Sequence, residues 1–177
     1  LWITNGAESS LFIVFANDLA DGPSDAQNTT FNRYSGGSRV LPEGKLAPSD
    51  LAIGATVALG FLAGVSAFLA FHERRAWMVV LAAMATHMLW MYSFPPFRLS
   101  YRGQAELLQG LGLGILLPVV GFYAQAGTLA GLSPRWLLPA FLLGYAGHLT
   151  TSLPDAPSDA ATGKRTYPVR RGERAAR

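Results

Sequence analysis

Long uncharged blocks, separated by links that hold all the charge, restrict this chain more than any other feature of its sequence. The blocks run from Leu51 to Phe71, Ala76 to Phe97, Leu107 to Leu132 and Trp136 to Pro154. Each is close to the roughly 20 helical residues that cross the hydrocarbon of a bilayer. A shorter apolar stretch, Ser9 to Ala16, reads as the last turns of one more span. Only 14% of the chain is charged, against about 25% in a typical soluble domain. The expected fold is therefore all-α: a multi-span transmembrane helix bundle with about four complete spans and one partial one. The chain reads as a single membrane domain over 1–177 with both ends looking cut. Residues 17–50 and 155–177 form its two elaborated polar segments.

The links divide into two kinds. His72 to Arg75 and Ser133 to Arg135 are tight turns, whereas 17–50, 98–106 and 155–177 are longer and polar. An even number of spans separates 17–50 from 155–177, so both lie on one side, joined there by 98–106. That side carries Arg33, Arg39, Lys45, Arg98, Arg102, Lys164, Arg165, Arg170, Arg171, Arg174 and Arg177; the other has Arg74, Arg75 and Arg135. The bias marks the elaborated face as cytoplasmic. The basic tail then reads as a topology signal beside a span, so no nucleic-acid partner is expected. There is no cysteine, which excludes disulfides, thiol chemistry and cysteine-held metals. Gly60 and Gly64, like Gly110 and Gly114, form GxxxG pairs inside apolar helices and read as close-packing positions. No strand precedes the second pair, so no dinucleotide fold is implied.

Two acidic clusters carry the chemistry. In Asn17-Asp18-Leu19-Ala20-Asp21-Gly22-Pro23-Ser24-Asp25, the residues Asn17, Asp21 and Asp25 recur at a spacing of four, one face of a helix. Carboxylates stacked in this way repel one another. A divalent cation removes that cost, and magnesium favours a few carboxylates together with water and phosphate oxygens. A solvated loop with helix-capping aspartates is the competing explanation, and Gly22-Pro23 interrupts an ideal helix. The second cluster, Asp155-Ala156-Pro157-Ser158-Asp159, repeats the spacing directly after a span and leads into Gly163-Lys164-Arg165-Thr166. Both clusters follow a span, lie on the computed cytoplasmic face and have basic residues downstream, which favours one joint metal site. Arg98 and Arg102 in the 98–106 link share that face and suit a bidentate grip on phosphate. Topological anchoring explains them equally well. His148 lies near the expected site, while His87 reads as a packing residue and His72 as surface.

These motifs resemble the UbiA superfamily of intramembrane prenyltransferases. Asn17-Asp18-x-x-Asp21-x-x-x-Asp25 looks like its first aspartate-rich motif, and Asp155-x-x-x-Asp159 with Gly163-Lys164-Arg165-Thr166 like its second. Ser35-Gly-Gly-Ser-Arg39-Val-Leu-Pro42-Glu43-Gly44 and Arg98-Leu-x-Tyr101-Arg102-Gly103-x-x-Glu106 look most like the menaquinone-pathway branch, which prenylates 1,4-dihydroxy-2-naphthoate. Where family members often carry Tyr-x-x-x-Lys, Tyr92 is followed here by Pro96, and Arg98 comes two residues later. The resemblance implies a Mg²⁺-dependent integral membrane enzyme, multi-pass, in a bacterial inner membrane. Its partners would be a polyprenyl diphosphate, an aromatic acceptor and the lipid bilayer. It assigns Asn17, Asp18, Asp21, Asp25, Asp155 and Asp159 to metal, with Asp21, Asp25, Asp155 and Asp159 central to catalysis. Arg98, Arg102, Lys164 and Arg165 would bind diphosphate. Branches that use 4-hydroxybenzoate, chlorophyllide or haem, an ion-coupled transporter and a non-catalytic scaffold remain alternatives.

Overall fold

A computed structural model describes residues 4–31 and 37–177. Arg33, Ser35 and Gly36, which entered the charge count or the branch resemblance, lie outside the described residues. Every regular element among the described residues is helical. The long helices are α1 (Thr4–Gln27), α2 (Pro48–Phe71), α3 (Trp77–Ser93), α4 (Ala105–Ala126) and α5 (Pro134–Ser152). Three short ones follow: α6 (Ala156–Ala161), α7 (Tyr167–Arg171) and α8 (Glu173–Ala176). Helix α1 packs on α2, α2 on α3 and α4 on α5, with α3 also touching α1 and α4. Many large apolar side chains face outward, among them Val57, Phe71, Trp136 and Leu143. That pattern suits a hydrocarbon surround.

The first acidic cluster is helical, not a loop. Helix α1 continues through Pro23 to Gln27. Proline removes one N–H from a helix ladder, but this end of α1 is held from outside by contacts described below. Two of the expected spans are shorter than their apolar blocks. Helix α3 stops at Ser93 because Phe94 precedes Pro95 and adopts an extended conformation, φ −112° and ψ 154°. Helix α4 stops at Ala126 because Gly127 takes φ +70° and caps it, donating its N–H to the Tyr123 carbonyl. Of the four blocks, two form helices both long and apolar enough to cross a membrane, Pro48–Phe71 and Ala105–Ala126.

Helix α4 contains one π turn, Gly112–Leu116, directly before Pro118. A widened turn there accommodates a ring that an α turn would clash with. The same turn brings α4 against α5. A Cβ added at Gly114 would lie 2.3 Å from Phe141 Cα, and one at Gly110 would meet the Phe141 ring at 2.8 Å. This GxxxG pair is therefore a close helix crossing. The pair on α2 differs: nothing lies within 4 Å of a Cβ at Gly60 or Gly64.

Candidate functional site

Helix α1 presents Asn17, Asp18, Asp21, Ser24 and Asp25, and the residue just after it, Asn28, to one cavity of about 580 Å³. These positions follow the three- and four-residue steps of a single helix face. The segment after α5 closes the opposite rim with Asp155, Ser158, Asp159, Lys164 and Thr166. All six acidic-motif positions thus line one cavity. Its remaining wall is largely apolar, running along α3 and α4 away from the acids through Leu89, Ala85, Ala82 and Met78 and through Leu108, Leu113, Leu116, Leu117 and Val120, with Ser66, Gln109 and His148 among its polar members.

Contacts across the mouth join the two clusters directly. Lys164 Nζ donates to Asp21 Oδ2 at 2.8 Å, and both side chains are buried. Asn28 Nδ2 donates to Asp155 Oδ1 at 2.7 Å. Thr162 Oγ1 donates to Ser24 Oγ at 3.2 Å. Thr166 Oγ1 donates to Asp159 Oδ2 at 3.0 Å. Ser38 donates its hydroxyl to Asp18 Oδ2, and Arg39 Nη1 donates to the Asp25 carbonyl at 3.0 Å. Gly37 has φ +67°, and a Cβ there would sit 2.3 Å from Asp25 Oδ2. Only glycine lets that backbone close over the carboxylates.

The electrostatics are those of a crowded acidic pocket. Burial, then the charge of Asp21, pushes Asp25 up from 3.8 to about 7. Burial raises Asp159 to about 6 against the opposing pull of Lys164 and Thr166. Burial alone would lower Lys164, but Asp21, followed by Tyr92 and Asp159, holds it above its ordinary value and keeps it cationic. Among the described residues, buried Asp21 Oδ1 has no hydrogen-bond partner.

Among the described residues, no three acidic or histidine side chains already converge closely enough to hold a metal alone. Magnesium is typically held by one or two carboxylates and completed by water and phosphate oxygens. The lone pairs of Asp21 Oδ1 and the raised Asp25 carboxyl fit that role. A cation there must displace a proton. The magnesium concentration giving half-maximal function is expected to rise by about tenfold between pH 7.5 and pH 6 as Asp25 protonates. A titration at several pH values checks this, and a flat profile would contradict it.

The four basic candidates do not share one place. Lys164 lines the cavity. Arg98 stacks on the Tyr101 ring at 3.8 Å, and Lys164 Nζ lies 5.8 Å from that same ring. Arg102 is exposed and donates to the Pro96 carbonyl at 2.9 Å. Arg165 is exposed, and its carbonyl accepts from Arg170 Nε at 3.0 Å. Among the histidines, His148 lines the cavity and its Nε2 hydrogen-bonds the Tyr92 hydroxyl at 3.0 Å. His87 lies in an outer groove between α2 and α3, and His72 is exposed.

Sequence reading passed over Ser24, Asn28 and Ser38. The helical face that includes Asp21 and Asp25 also includes Ser24 and Asn28, so the periodicity could have found both. Ser38 had no such signal. It also passed over Glu106 as a structural partner. Glu106 is buried, accepts the Tyr167 N–H and lies 3.6 Å from Arg170, which ties the basic tail to the start of α4.

The described residues thus form a helical bundle with an acidic, polar cavity mouth above a largely apolar channel. The sequence matches the UbiA prenyltransferase family over residues 6–177, and the chain belongs to that family. Members of the family are integral membrane prenyltransferases and generally depend on magnesium. No curated protein and no solved structure matches the chain.

Proposed function

We propose that this chain carries the diphosphate site of a magnesium-dependent enzyme that transfers a polyprenyl group from an allylic diphosphate to an aromatic acceptor. The single observation that supports this most is the joining of two acidic motifs over one cavity whose far wall is apolar. Asn17, Asp21 and Asp25 would hold one cation, and Asp155 and Asp159 a second. Asp18, already bonded to Ser38, would have the supporting share. Bound magnesium would neutralise the charge that grows on the diphosphate as the allylic carbon–oxygen bond breaks. Lys164 adds a fixed positive charge at the same mouth, where preorganised charge is most effective. Arg98, Arg102 and Arg165 do not line the cavity, and Arg98 shares the Tyr101 ring with Lys164. As the allylic carbon–oxygen bond breaks and diphosphate leaves, a ring carbon of the acceptor bonds the prenyl carbon; the ring regains aromaticity by giving a proton to water, and the carboxylate of a naphthoate acceptor must also leave, as carbon dioxide, to yield a menaquinone precursor.

The acceptor we favour is 1,4-dihydroxy-2-naphthoate, in menaquinone synthesis. Its support is the likeness of the Ser35–Gly44 and Arg98–Glu106 stretches to that branch. We place the protein in a bacterial inner membrane as a multi-pass bundle, its acidic mouth cytoplasmic, on the charge bias of the links. The test is a membrane assay with labelled prenyl diphosphates and a panel of aromatic acceptors, with and without magnesium. Magnesium-dependent prenylation of the naphthoate alone is the expected result. Transfer to 4-hydroxybenzoate instead would move the protein to another branch, and no transfer to any acceptor would end the enzyme reading.

A further inference from the structure

Glu106, at the start of α4, is an acid that belongs to neither cluster and is only 1% exposed. A carboxylate taken that far from water needs partners. Two come from α7. Glu106 Oε1 accepts the Tyr167 N–H, and Oε2 lies 3.6 Å from Arg170 Nη2. The Arg170 side chain lies against Gly103, where φ is +79° and a Cβ would sit 2.6 Å from Arg170 Nε.

Tyr167 opens α7, and the first N–H groups of a helix have no partner within it. Thr166 is the N-cap. A threonine there ordinarily turns its hydroxyl back to accept an N–H from the second or third helical residue. Thr166 makes no such bond, and Pro168 in the second position has no N–H to offer. Its Oγ1 is turned the other way and donates to Asp159 Oδ2 at 3.0 Å. Glu106 thus satisfies the start of α7 from outside, and the Thr166 hydroxyl stays with Asp159. Lys164, two residues earlier, donates its backbone N–H to the Asp159 carbonyl and its Nζ to Asp21 Oδ2, both at 2.8 Å. One short stretch therefore holds members of both acidic clusters, and Glu106 fixes its far end.

Resting on the magnesium reading above, we propose that Glu106 is a positioning residue: by capping α7 at Tyr167 it leaves Thr166 to orient Asp159 and keeps Lys164 against Asp21. Groups that hydrogen-bond a ligand carboxylate set its direction, and losing one typically costs about 10–100-fold in metal affinity. The competing explanation is an ion pair with Arg170 that does no more than tie down the basic tail. Reach and charge separate the two. Glu106→Asp keeps the charge but withdraws it from Tyr167 by one carbon–carbon bond, about 1.5 Å. Glu106→Gln keeps the reach and an oxygen for the Tyr167 N–H, but drops the charge that Arg170 faces.

The test is manganese binding to the detergent-solubilised full chain with inorganic diphosphate present, read by electron paramagnetic resonance, which needs no turnover. Glu106→Asp is expected to raise the manganese Kd about tenfold, and Glu106→Gln by about threefold at most. Thr166→Val is expected to raise it about tenfold as well. The double variant Glu106→Asp/Thr166→Val is expected to bind no more weakly than Thr166→Val, because both changes act through one contact. Glu106→Gln binding as weakly as Glu106→Asp, or more weakly, would leave Glu106 as a tail anchor and overturn the proposal. So would an unchanged Kd in Glu106→Asp, or losses that multiply in the double variant. No manganese binding by the unaltered chain would instead sink the metal reading beneath it.

Discussion

Asp155→Asn is expected to lower prenyl transfer by about 10³-fold while the protein remains folded. The substitution separates charge from shape. Asp155 accepts the Asn28 amide through Oδ1 at 2.7 Å, and an asparagine carbonyl can accept the same bond. The side chain is only partly buried, so little packing is disturbed. What disappears is one negative charge at the cavity where a cation and a diphosphate would meet. Preorganised charge aimed at a developing transition state contributes on the order of 10²–10³ in rate. Asp21→Asn is expected to show the same loss with an added defect. It removes the partner of Lys164, and breaking a buried pair costs about 3–5 kcal/mol. The check is transfer rate beside thermal melting of detergent-solubilised protein. Retention of activity within about tenfold in Asp155→Asn would remove the second cluster from the site.

The largest structural effect is expected from Gly114→Val. A Cβ at Gly114 would sit 2.3 Å from Phe141 Cα and 2.5 Å from the Ala140 carbonyl oxygen. Both are backbone atoms, so no side chain can swing aside. Helices α4 and α5 would have to separate, and both line or border the cavity. Overpacking in a core commonly costs about 1–3 kcal/mol, and a clash with backbone falls at the upper end or beyond. Folded yield is expected to collapse. The matched control is Gly60→Ala on α2, where nothing lies within 4 Å. It is expected to stay within about 1 kcal/mol of the parent, the scale of the glycine-to-alanine helix propensity difference. Equal yields for Gly114→Val and the parent, read by size-exclusion chromatography, would show that α4 and α5 do not cross there.

The two GxxxG pairs illustrate where sequence reading stops. Both have identical spacing in apolar surroundings, and both suggested close packing. Only Gly110 and Gly114 meet a neighbouring helix among the described residues. Spacing names the face of a helix but not what that face meets. The acidic motifs show the reverse case. Counting four spans led to the expectation that 17–50 and 155–177 share one end; two of the four blocks form helices long and apolar enough to cross a membrane. The structure brings the clusters together with Lys164 on Asp21 and Asn28 on Asp155. Prolines limited the reading elsewhere. Pro23 argued for a broken helix, yet α1 runs through it, while Pro95 and Gly127 ended α3 and α4 before their apolar blocks did.

Long uncharged blocks alone determine that this chain is helical and built to meet hydrocarbon, since backbone polar groups there can be satisfied only within helices or closed barrels. The alternation of those blocks suggests which polar segments share a face, and the contacts of Lys164 with Asp21 and of Asn28 with Asp155 bring two of them together. Tertiary structure decides the rest. The partners at the mouth stand 127 and 143 residues apart, and no local pattern encodes contacts of that range. Whether a base points into the cavity, as Lys164 does, or lies exposed, as Arg102 and Arg165 do, depends on how each segment turns after its helix ends. The depth of the channel is likewise a property of packing. Met78 is buried because Leu69 and Tyr123, from two other helices, pack on it.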